Sequence, residues 1–156
     1  MTVRQLFLVA TLGSAALLLG AFGFQYIGHM PPCKMCIWQR WPHGIVIAIG
    51  VLAWLTNSRM LAALAGLIVL FGAGIAFYHA GVEQHWWQGP TTCTSQGISG
   101  LSRDELMQQI LTAPLVRCDE IPWSLFGLSM AAWNGLLSLV LVALWLGGAG
   151  VRPRQN

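Results

Sequence analysis

Four cysteines have the residue type and the spacing for chemistry, and they fall into one close pair and one distant pair. Cys33 and Cys36 lie in the sequence Pro-Pro-Cys-Lys-Met-Cys, whereas Cys93 and Cys118 lie further along the chain. In a Cys-x-x-Cys spacing one thiolate attacks a disulfide while the other resolves the product, and a neighbouring Lys or Arg lowers a thiol pKa. The pattern predicts thiol–disulfide exchange, with all four cysteines as candidate catalytic residues.

Two other uses of four cysteines stay open at this point. Two structural disulfides could staple loops in a protein that has no catalytic role. A four-cysteine zinc site is a second alternative, but such sites usually join two tight Cys-x₂₋₄-Cys hooks. The wide spacing of Cys93 and Cys118 disfavours zinc, so we predict no metal site.

Composition indicates that these cysteines belong to a protein embedded in a lipid bilayer. The chain is 56% hydrophobic and only 8% charged, whereas a soluble domain has about 25% charged residues. A helix that crosses the hydrocarbon needs roughly 20 apolar residues. Four stretches qualify, the second of them short: residues 6–28, 41–56, 60–80 and 121–146. Because backbone in lipid must satisfy its own hydrogen bonds, we predict an all-α membrane protein. It would be a four-transmembrane-helix bundle, with residues 1–156 as a single domain.

The first stretch could instead be a cleaved signal peptide, because Arg4 precedes it. The usual apolar core of a signal peptide is only about 7–15 residues long. Residues 6–28 exceed that length, and we therefore favour a first transmembrane span.

The basic residues divide equally between the two ends of such a bundle. Arg4, Arg59, Arg152 and Arg154 belong to one side, and Lys34, Arg40, Arg103 and Arg117 belong to the other. The positive-inside rule gives most weight to short loops, and Arg103 lies far from any span. We therefore expect both termini in the cytoplasm and the cysteines on the outer side of the membrane, in outer loops 29–40 and 81–120. The net charge of +3 without a Lys/Arg run argues against nucleic acid binding.

The second outer loop contains a candidate surface helix. Its apolar residues recur at helical spacing over residues 103–112, and they are Leu106, Met107, Ile110 and Leu111. We predict a short amphipathic helix that lies on the membrane surface. An ordinary loop helix is the alternative.

Arg40 is the candidate partner for a negative charge near the close pair. Pro42 favours the first turn of a helix and disfavours helix in the residue before it, so the second span is expected to begin near Trp41. The segment from Cys33 to Arg40 would then be a turn or a short separate helix. Arg40 would then lie at the membrane interface, near the positive end of the dipole of the second span. This position suits a developing anion such as a quinone that is being reduced. The alternative is an anchor arginine that snorkels to the interface.

With these motifs in place, the chain resembles the bacterial DsbB family, the quinone-linked oxidases of DsbA. The resemblance covers nearly the whole chain and includes Cys33-x-x-Cys36-x-x-x-Arg40. It also includes Cys118-x₄-Trp123-x₃-Gly127-Leu128-x₄-Trp133. It implies a membrane enzyme that reoxidises a DsbA-like periplasmic dithiol protein and passes the electrons to ubiquinone or menaquinone, a relay that keeps the periplasm oxidising.

The resemblance also implies roles for individual residues. Cys93 would form the mixed disulfide with the partner, and Cys118 would be its disulfide mate. Cys33 would exchange with this pair, while Cys36 would face the quinone as a thiolate beside Arg40. His79 roughly matches a histidine that the family places near the quinone; His85 is a rival, and an ordinary interfacial histidine is a further alternative.

Three rival functions remain. A vitamin-K-epoxide-reductase-like oxidase also combines four cysteines with a quinone site, but there the close pair follows the loop pair. A DsbB-like paralogue could serve a dedicated partner other than DsbA. From a different class, the chain could be a non-catalytic membrane subunit with two structural loop disulfides.

Overall fold

Four long helices make up most of the chain in a computed structural model, which describes residues 2–94, 102–112 and 116–150. A short loop helix and a two-stranded hairpin lie between the third and the last of them. The elements are α1 (Val3–Tyr26), α2 (Lys34–Thr56), α3 (Arg59–Glu83), α4 (Arg103–Thr112), β1 (Ser124–Leu125), β2 (Leu128–Ser129) and α5 (Met130–Gly150). The prediction of an all-α protein is confirmed, with the small hairpin as an addition.

The long helices form a bundle in which α3 packs against α2 and α5, and α1 packs against the same two helices. The core at the end of the bundle that holds the α2–α3 turn is built around Trp145, whose ring stacks on Phe7 with centroids 5.8 Å apart. Val46 and Val69 pack into the same cluster. At the opposite end, a second buried cluster is built around three of the cysteines.

Three helices, α1, α3 and α5, are long and apolar enough to cross a membrane. Their outward surfaces carry large apolar side chains, for example Leu19 and Phe71, which are 69% and 68% exposed. Such surfaces suit contact with lipid rather than water. Among the described helices α2 is also long, but Gln39, Arg40 and His43 lower the hydropathy of its first half.

The start of α2 differs from the prediction. The helix begins at Lys34 and runs without a break through Pro42, so the segment from Cys33 to Arg40 is neither a turn nor a separate helix. The helix starts earlier than expected because Cys33 caps it, its sulfur accepting from the Cys36 backbone N–H. Gly72 on α3 faces the Pro42 ring: a Cβ atom built on Gly72 would lie 2.9 Å from the Pro42 Cβ. The absent side chain makes room for the ring and lets the two helices approach closely.

The end of α3 also differs from the prediction. Residues 81–83 were expected in the outer loop, but α3 continues to Glu83. The indole of Trp87 folds back over Gly81 and donates from Nε1 to the backbone oxygen of Tyr78 at 2.9 Å. This packing covers the last turns of α3. The helix therefore continues past residue 80, where the predicted span ends.

The segment expected to open the last span forms a hairpin instead. The helix α5 begins at Met130, not at Ile121, and it continues beyond Leu146 to Gly150. Phe126 and Gly127 both have positive φ angles, 51° and 77°, as a tight two-residue hairpin turn requires. The indole N–H of Trp133 donates to the backbone oxygen of Leu125 at 3.1 Å and ties the hairpin to the helix.

The predicted loop helix is confirmed with the predicted bounds, Arg103–Thr112. Met107 and Leu111, which share one face, are 59% and 77% exposed. The side chains of Leu106 and Ile110 lie outside the described residues. That the helix lies on a membrane surface stays a prediction.

The contact between Gly72 and Pro42 gives a direct test of the packing. Gly72→Ala should lower the free energy of unfolding by about 1–3 kcal/mol, because a rigid ring opposes the new methyl group. Gly74→Ala is the matched control, since nothing lies within 4 Å of a Cβ at that position. Thermal unfolding in detergent should show a lower Tm for the first variant and an unchanged or raised Tm for the second. Equal Tm values would contradict the packing described for Pro42.

Candidate active site

The close cysteine pair lies at the first turn of α2. Cys33 is the N-cap residue, and its sulfur accepts a hydrogen bond from the Cys36 backbone N–H at 3.1 Å. The two sulfur atoms are 2.7 Å apart. Cys33 is buried, whereas Cys36 is partly exposed. The helix start therefore sets the distance between the two thiols and aims its free N–H groups at them.

The distant pair forms a disulfide between Cys93 and Cys118, the pairing that the resemblance implies. Both cysteines are buried, with 1% and 0% of their surface exposed. They pack with Met35 and Val82 in the second buried cluster, at the end of the bundle that holds the cysteines. The Cys118 backbone N–H also donates to the Cys93 backbone oxygen at 2.7 Å. These contacts hold the loop disulfide against the ends of α2 and α3.

The two pairs meet beside His79. The sulfur atoms of Cys33 and Cys118 and a ring nitrogen of His79 all lie within 4.8 Å of one another. The His79 Nε2 atom is 3.6 Å from the Cys33 sulfur. A thiolate at either cysteine needs little movement to reach the other, so the geometry permits exchange between the pairs.

The electrostatics of the close pair distinguish its two thiols. The hydrogen bond with Cys36 and burial raise the pKa of the Cys33 thiol well above its usual range. In a reduced pair these effects favour the protonated thiol at Cys33. Cys36 is the more exposed of the two residues, so its thiol is the more accessible one.

A cavity of about 680 Å³ opens beside the close pair, and most of its wall is apolar. Phe24, Trp123 and Trp133 provide aromatic surface, and Cys36 and Arg40 provide reactive or charged groups. A large apolar pocket with a few convergent polar groups is the usual form of a small-molecule site. The cavity therefore has the size and the lining of a site for a small, largely apolar molecule.

Arg40 lines this cavity from the side of α1. Its guanidinium donates to the Gln25 side-chain oxygen at 2.5 Å and to the Ala21 backbone oxygen at 3.3 Å. It also lies over the Phe22 ring, 5.0 Å from the centroid. These contacts fix the position of the cation at the cavity wall. No ion pair between Arg40 and a carboxylate occurs among the described residues, so its charge is available to a ligand.

The two candidate histidines occupy different places. His79 is buried and lines the cavity next to Cys33. His85 is exposed, follows the end of α3 and forms no part of the described cavity wall. The position near the reactive sulfurs therefore belongs to His79.

Sequence reasoning missed four polar residues of the cavity wall: Gln39, His43, Glu83 and Asn134. Gln39 joins α3 and α5, since it contacts the His79 ring at 2.8 Å and accepts from Asn134 at 2.8 Å. Glu83 lies 3.9 Å from His79, and its Oε2 atom has no partner among the described residues. For His43 and Asn134 the available signal was position, because polar side chains within apolar spans are costly and usually functional. Gln39 and Glu83 fell in the predicted outer loops and gave no such signal.

Comparison with known proteins adds a second, independent line of evidence. A family model described as "Disulfide bond formation protein DsbB" matches residues 3–147. This chain belongs to the DsbB family. Relatives named "Disulfide bond formation protein B" include proteins of Stutzerimonas stutzeri, 31% identical over 91% of this chain and 93% of the relative, and Herminiimonas arsenicoxydans, 34% identical over 92% of both. The protein of Verminephrobacter eiseniae is 31% identical over 98% of this chain and 92% of its own. No solved structure matches the chain.

Membership of the DsbB family makes the chain a membrane oxidoreductase that forms disulfide bonds. The apolar helices agree with an inner-membrane protein. The order of the cysteines, with the close pair first, also separates the chain from the vitamin-K-epoxide-reductase-like alternative.

The short distance between the pairs predicts a new bond when the normal partners are removed. A variant with Cys36→Ser and Cys93→Ser should form a Cys33–Cys118 disulfide almost completely under mild oxidation, because the two sulfurs already lie within reach. The matched control, with Cys33→Ser and Cys118→Ser, should remain largely a dithiol. Alkylation and mass spectrometry of peptides would measure both. Efficient bonding in the control and none in the first variant would contradict the described arrangement.

Proposed function

We propose that this chain reoxidises a periplasmic DsbA-like dithiol protein and passes the electrons, through its two cysteine pairs, to a membrane quinone. The observation that carries the proposal is the meeting of the pairs: the Cys33 and Cys118 sulfurs lie within 4.8 Å of each other at the edge of the cavity. Two structural staples would have no reason to lie together beside a large apolar pocket. Ubiquinone and menaquinone both have headgroups that suit such a pocket.

In the proposed arrangement α2 also crosses the membrane, in addition to α1, α3 and α5. Its polar residues face the cavity, and its apolar second half packs in the bundle core through Val46 and Ala53. Arg4 and Trp54 lie at the end opposite the cysteines, where the guanidinium stacks over the indole at 5.3 Å. With that end in the cytoplasm, both termini are cytoplasmic and the cysteines face the periplasm, in keeping with the positive-inside rule.

The first step of the relay is exchange between the partner and the loop disulfide. A thiolate of the partner attacks Cys93, a bond forms between them, and the electron pair of the broken Cys93–Cys118 bond leaves on Cys118. The second thiol of the partner then releases Cys93 as a thiolate. Because Cys93 is buried against Val82, this step requires the loop to move away from α3.

The second step transfers the electrons to the close pair. The Cys118 thiolate attacks the Cys33 sulfur of an oxidised Cys33–Cys36 pair, and the electron pair leaves on Cys36. Cys93 then attacks Cys118, so that the loop disulfide re-forms and Cys33 leaves as a thiolate. The close pair has gained two electrons, and the partner has become a disulfide.

The third step takes place at the cavity wall. A bound quinone supplies an acceptor for two electrons and two protons. Cys36 presents its thiolate to the cavity, and Arg40 holds a fixed positive charge at the same depth. Lipid gives little dielectric shielding there, so the cation is worth more than the roughly 0–1 kcal/mol of an exposed ion pair. The planar fork of an arginine also donates to a carbonyl oxygen with defined geometry.

The alternative partner is a dedicated dithiol protein other than DsbA, served by a paralogue. The chemistry on this chain would be the same, because Cys93 and the cavity do not depend on which protein brings the thiols. The experiment below separates the two by comparing partners: a DsbA-like protein that is not oxidised while another dithiol protein is would favour the paralogue.

Quinone reduction by the purified protein tests the proposal. With a reduced DsbA-like partner and a water-soluble quinone under anaerobic conditions, the chain should convert one quinone for each partner disulfide formed. Quinone absorbance measures the rate. A partner that is oxidised without quinone loss would remove the quinone from the proposal, and no oxidation of any dithiol partner would favour the structural-disulfide alternative.

Arg40 gives the sharpest variant in this assay. Arg40→Ala should lower quinone turnover by roughly ten- to a hundredfold, about 1.4–2.8 kcal/mol, with much of the loss as a raised KM for quinone. Arg40→Lys should recover only part of it. Exchange between the partner and Cys93–Cys118 should stay near normal.

Arg103→Ala is the matched control, because Arg103 is exposed on α4. A snorkelling anchor at position 40 would give the opposite pattern, with lysine restoring full turnover and alanine lowering mainly the membrane yield. Normal quinone turnover in Arg40→Ala would remove Arg40 from the site.

A further inference from the structure

A chain of hydrogen bonds runs along the cavity wall from His43 on α2 to the Cys33 sulfur. It passes through Asn134, Gln39 and His79, so it links α2, α3 and α5. All five residues line the cavity. Nothing in the proposed relay uses His43, Asn134 or Gln39, and their cost inside a membrane protein calls for a reason.

The orientation of the Gln39 amide determines the direction of every hydrogen bond in this network. Its Nε2 group donates to the Met35 backbone oxygen at 3.2 Å, and a carbonyl oxygen can only accept. That contact fixes which end of the amide carries the hydrogens. The second hydrogen on Nε2 then points to His79 Nδ1 at 2.8 Å, and Gln39 Oε1 must be an acceptor.

The other members then take a single arrangement. Asn134 donates from Nδ2 to Gln39 Oε1 at 2.8 Å, which leaves its Oδ1 to accept from His43 Nε2 at 3.1 Å. Every donor in the chain therefore faces toward Cys33. His43 Nδ1 has no partner among the described residues, so the chain ends there.

The consequence falls on His79. Because Nδ1 accepts from Gln39, the neutral ring carries its hydrogen on Nε2. The Nε2 atom is 3.6 Å from the Cys33 sulfur and 3.9 Å from Glu83 Oε1, so the sulfur is the nearer of these two acceptors. The Cys118 backbone oxygen also accepts from the His79 ring and holds it beside the cysteine pairs. Without Gln39 the ring could equally carry its hydrogen on Nδ1 and present a lone pair to the sulfur.

We propose that His79 donates its Nε2–H to the Cys33 sulfur when Cys33 leaves as a thiolate, and that Gln39 is the positioning residue that holds His79 in this donating tautomer. Asn134 and His43 support Gln39 from the far side. This inference rests on the exchange between the cysteine pairs proposed above. It assigns His79 to the sulfur chemistry, whereas the family resemblance assigns it to the quinone.

The step that benefits is the one in which Cys93 attacks Cys118. The Cys93–Cys118 bond forms, the Cys33–Cys118 bond breaks, and the electron pair goes to the Cys33 sulfur. Burial makes a bare thiolate there unfavourable, and an N–H donor aimed at the sulfur stabilises it. No proton leaves His79 in this step, since the hydrogen bond alone lowers the cost of the charge.

The tautomer of His79 is the direct test. Nitrogen-15 NMR of the purified, histidine-labelled protein should show a protonated Nε2 and a bare Nδ1 at His79 in the wild type, and a population with protonated Nδ1 in Gln39→Leu. A wild-type ring with protonated Nδ1 would overturn the proposal, even if Gln39→Leu fails to fold. Asn134→Leu should give a smaller shift, because the Met35 contact still orients Gln39.

The rate of exchange is the functional test. Quinone-free protein is mixed with a reduced DsbA-like partner and quenched by acid and alkylation, and the appearance of thiols at Cys33 and Cys36 is followed. Gln39→Leu should slow it by about tenfold, and Asn134→Leu should slow it less. Gln88→Leu is the matched control, since that side chain is exposed after α3.

The outcomes separate this inference from the proposed function. If the wild type never passes electrons to Cys33 and Cys36, the relay itself is wrong. If the wild type does so and Gln39→Leu does so at the same rate with the same tautomer, only the positioning role is wrong. A loss in Gln39→Leu that appears solely as a raised quinone KM would return His79 to the quinone and also overturn the inference.

Discussion

The Cys33 sulfur lies in contact with segments that are far apart in the chain, and the outer half of the molecule is arranged around that contact. It caps α2, approaches Cys118 in the second loop, and lies 3.6 Å from the His79 Nε2 atom on α3. If α2 began at Trp41, Cys33 could not cap it. If α3 ended at Ala80, Val82 could not pack against the loop disulfide.

Burial gives this contact its chemical character. Burial and the hydrogen bond with Cys36 raise the pKa of the Cys33 thiol, whereas Cys36 lines the cavity. The disulfide between Cys93 and Cys118 is buried as well. In the proposed relay, a partner must therefore displace the loop before it can reach Cys93.

Much of the chemistry could be predicted from the sequence, because it depends on residue type and spacing. The Cys-x-x-Cys motif, the nearby Arg40 and the apolar runs are enough to indicate a redox-active membrane protein. The helix over residues 103–112 was also predictable from its period. These features are local, and local patterns carry them.

The features that sequence reasoning missed depend on contacts between distant segments. Pro42 lies in the interior of α2, where local rules for proline predict a helix start, and its ring packs against Gly72 on another helix. The hairpin before α5 depends on the positive φ angles of Phe126 and Gly127, and Phe126 rarely adopts one. The hydrogen bonds that link His43 to Cys33 join residues on three helices, so they depend on how those helices are aligned. One sign of them in the sequence is the polar Asn134 within an apolar helix.

The order of the relay is the central claim, and one measurement tests it most directly. A DsbA-like partner that keeps only its attacking cysteine is mixed with the wild-type chain, and the trapped complex is mapped by mass spectrometry. The account predicts a bond between the partner and Cys93, together with a bond between Cys118 and Cys33. A partner bonded to Cys33 or Cys36 instead, with Cys93–Cys118 intact, would contradict it.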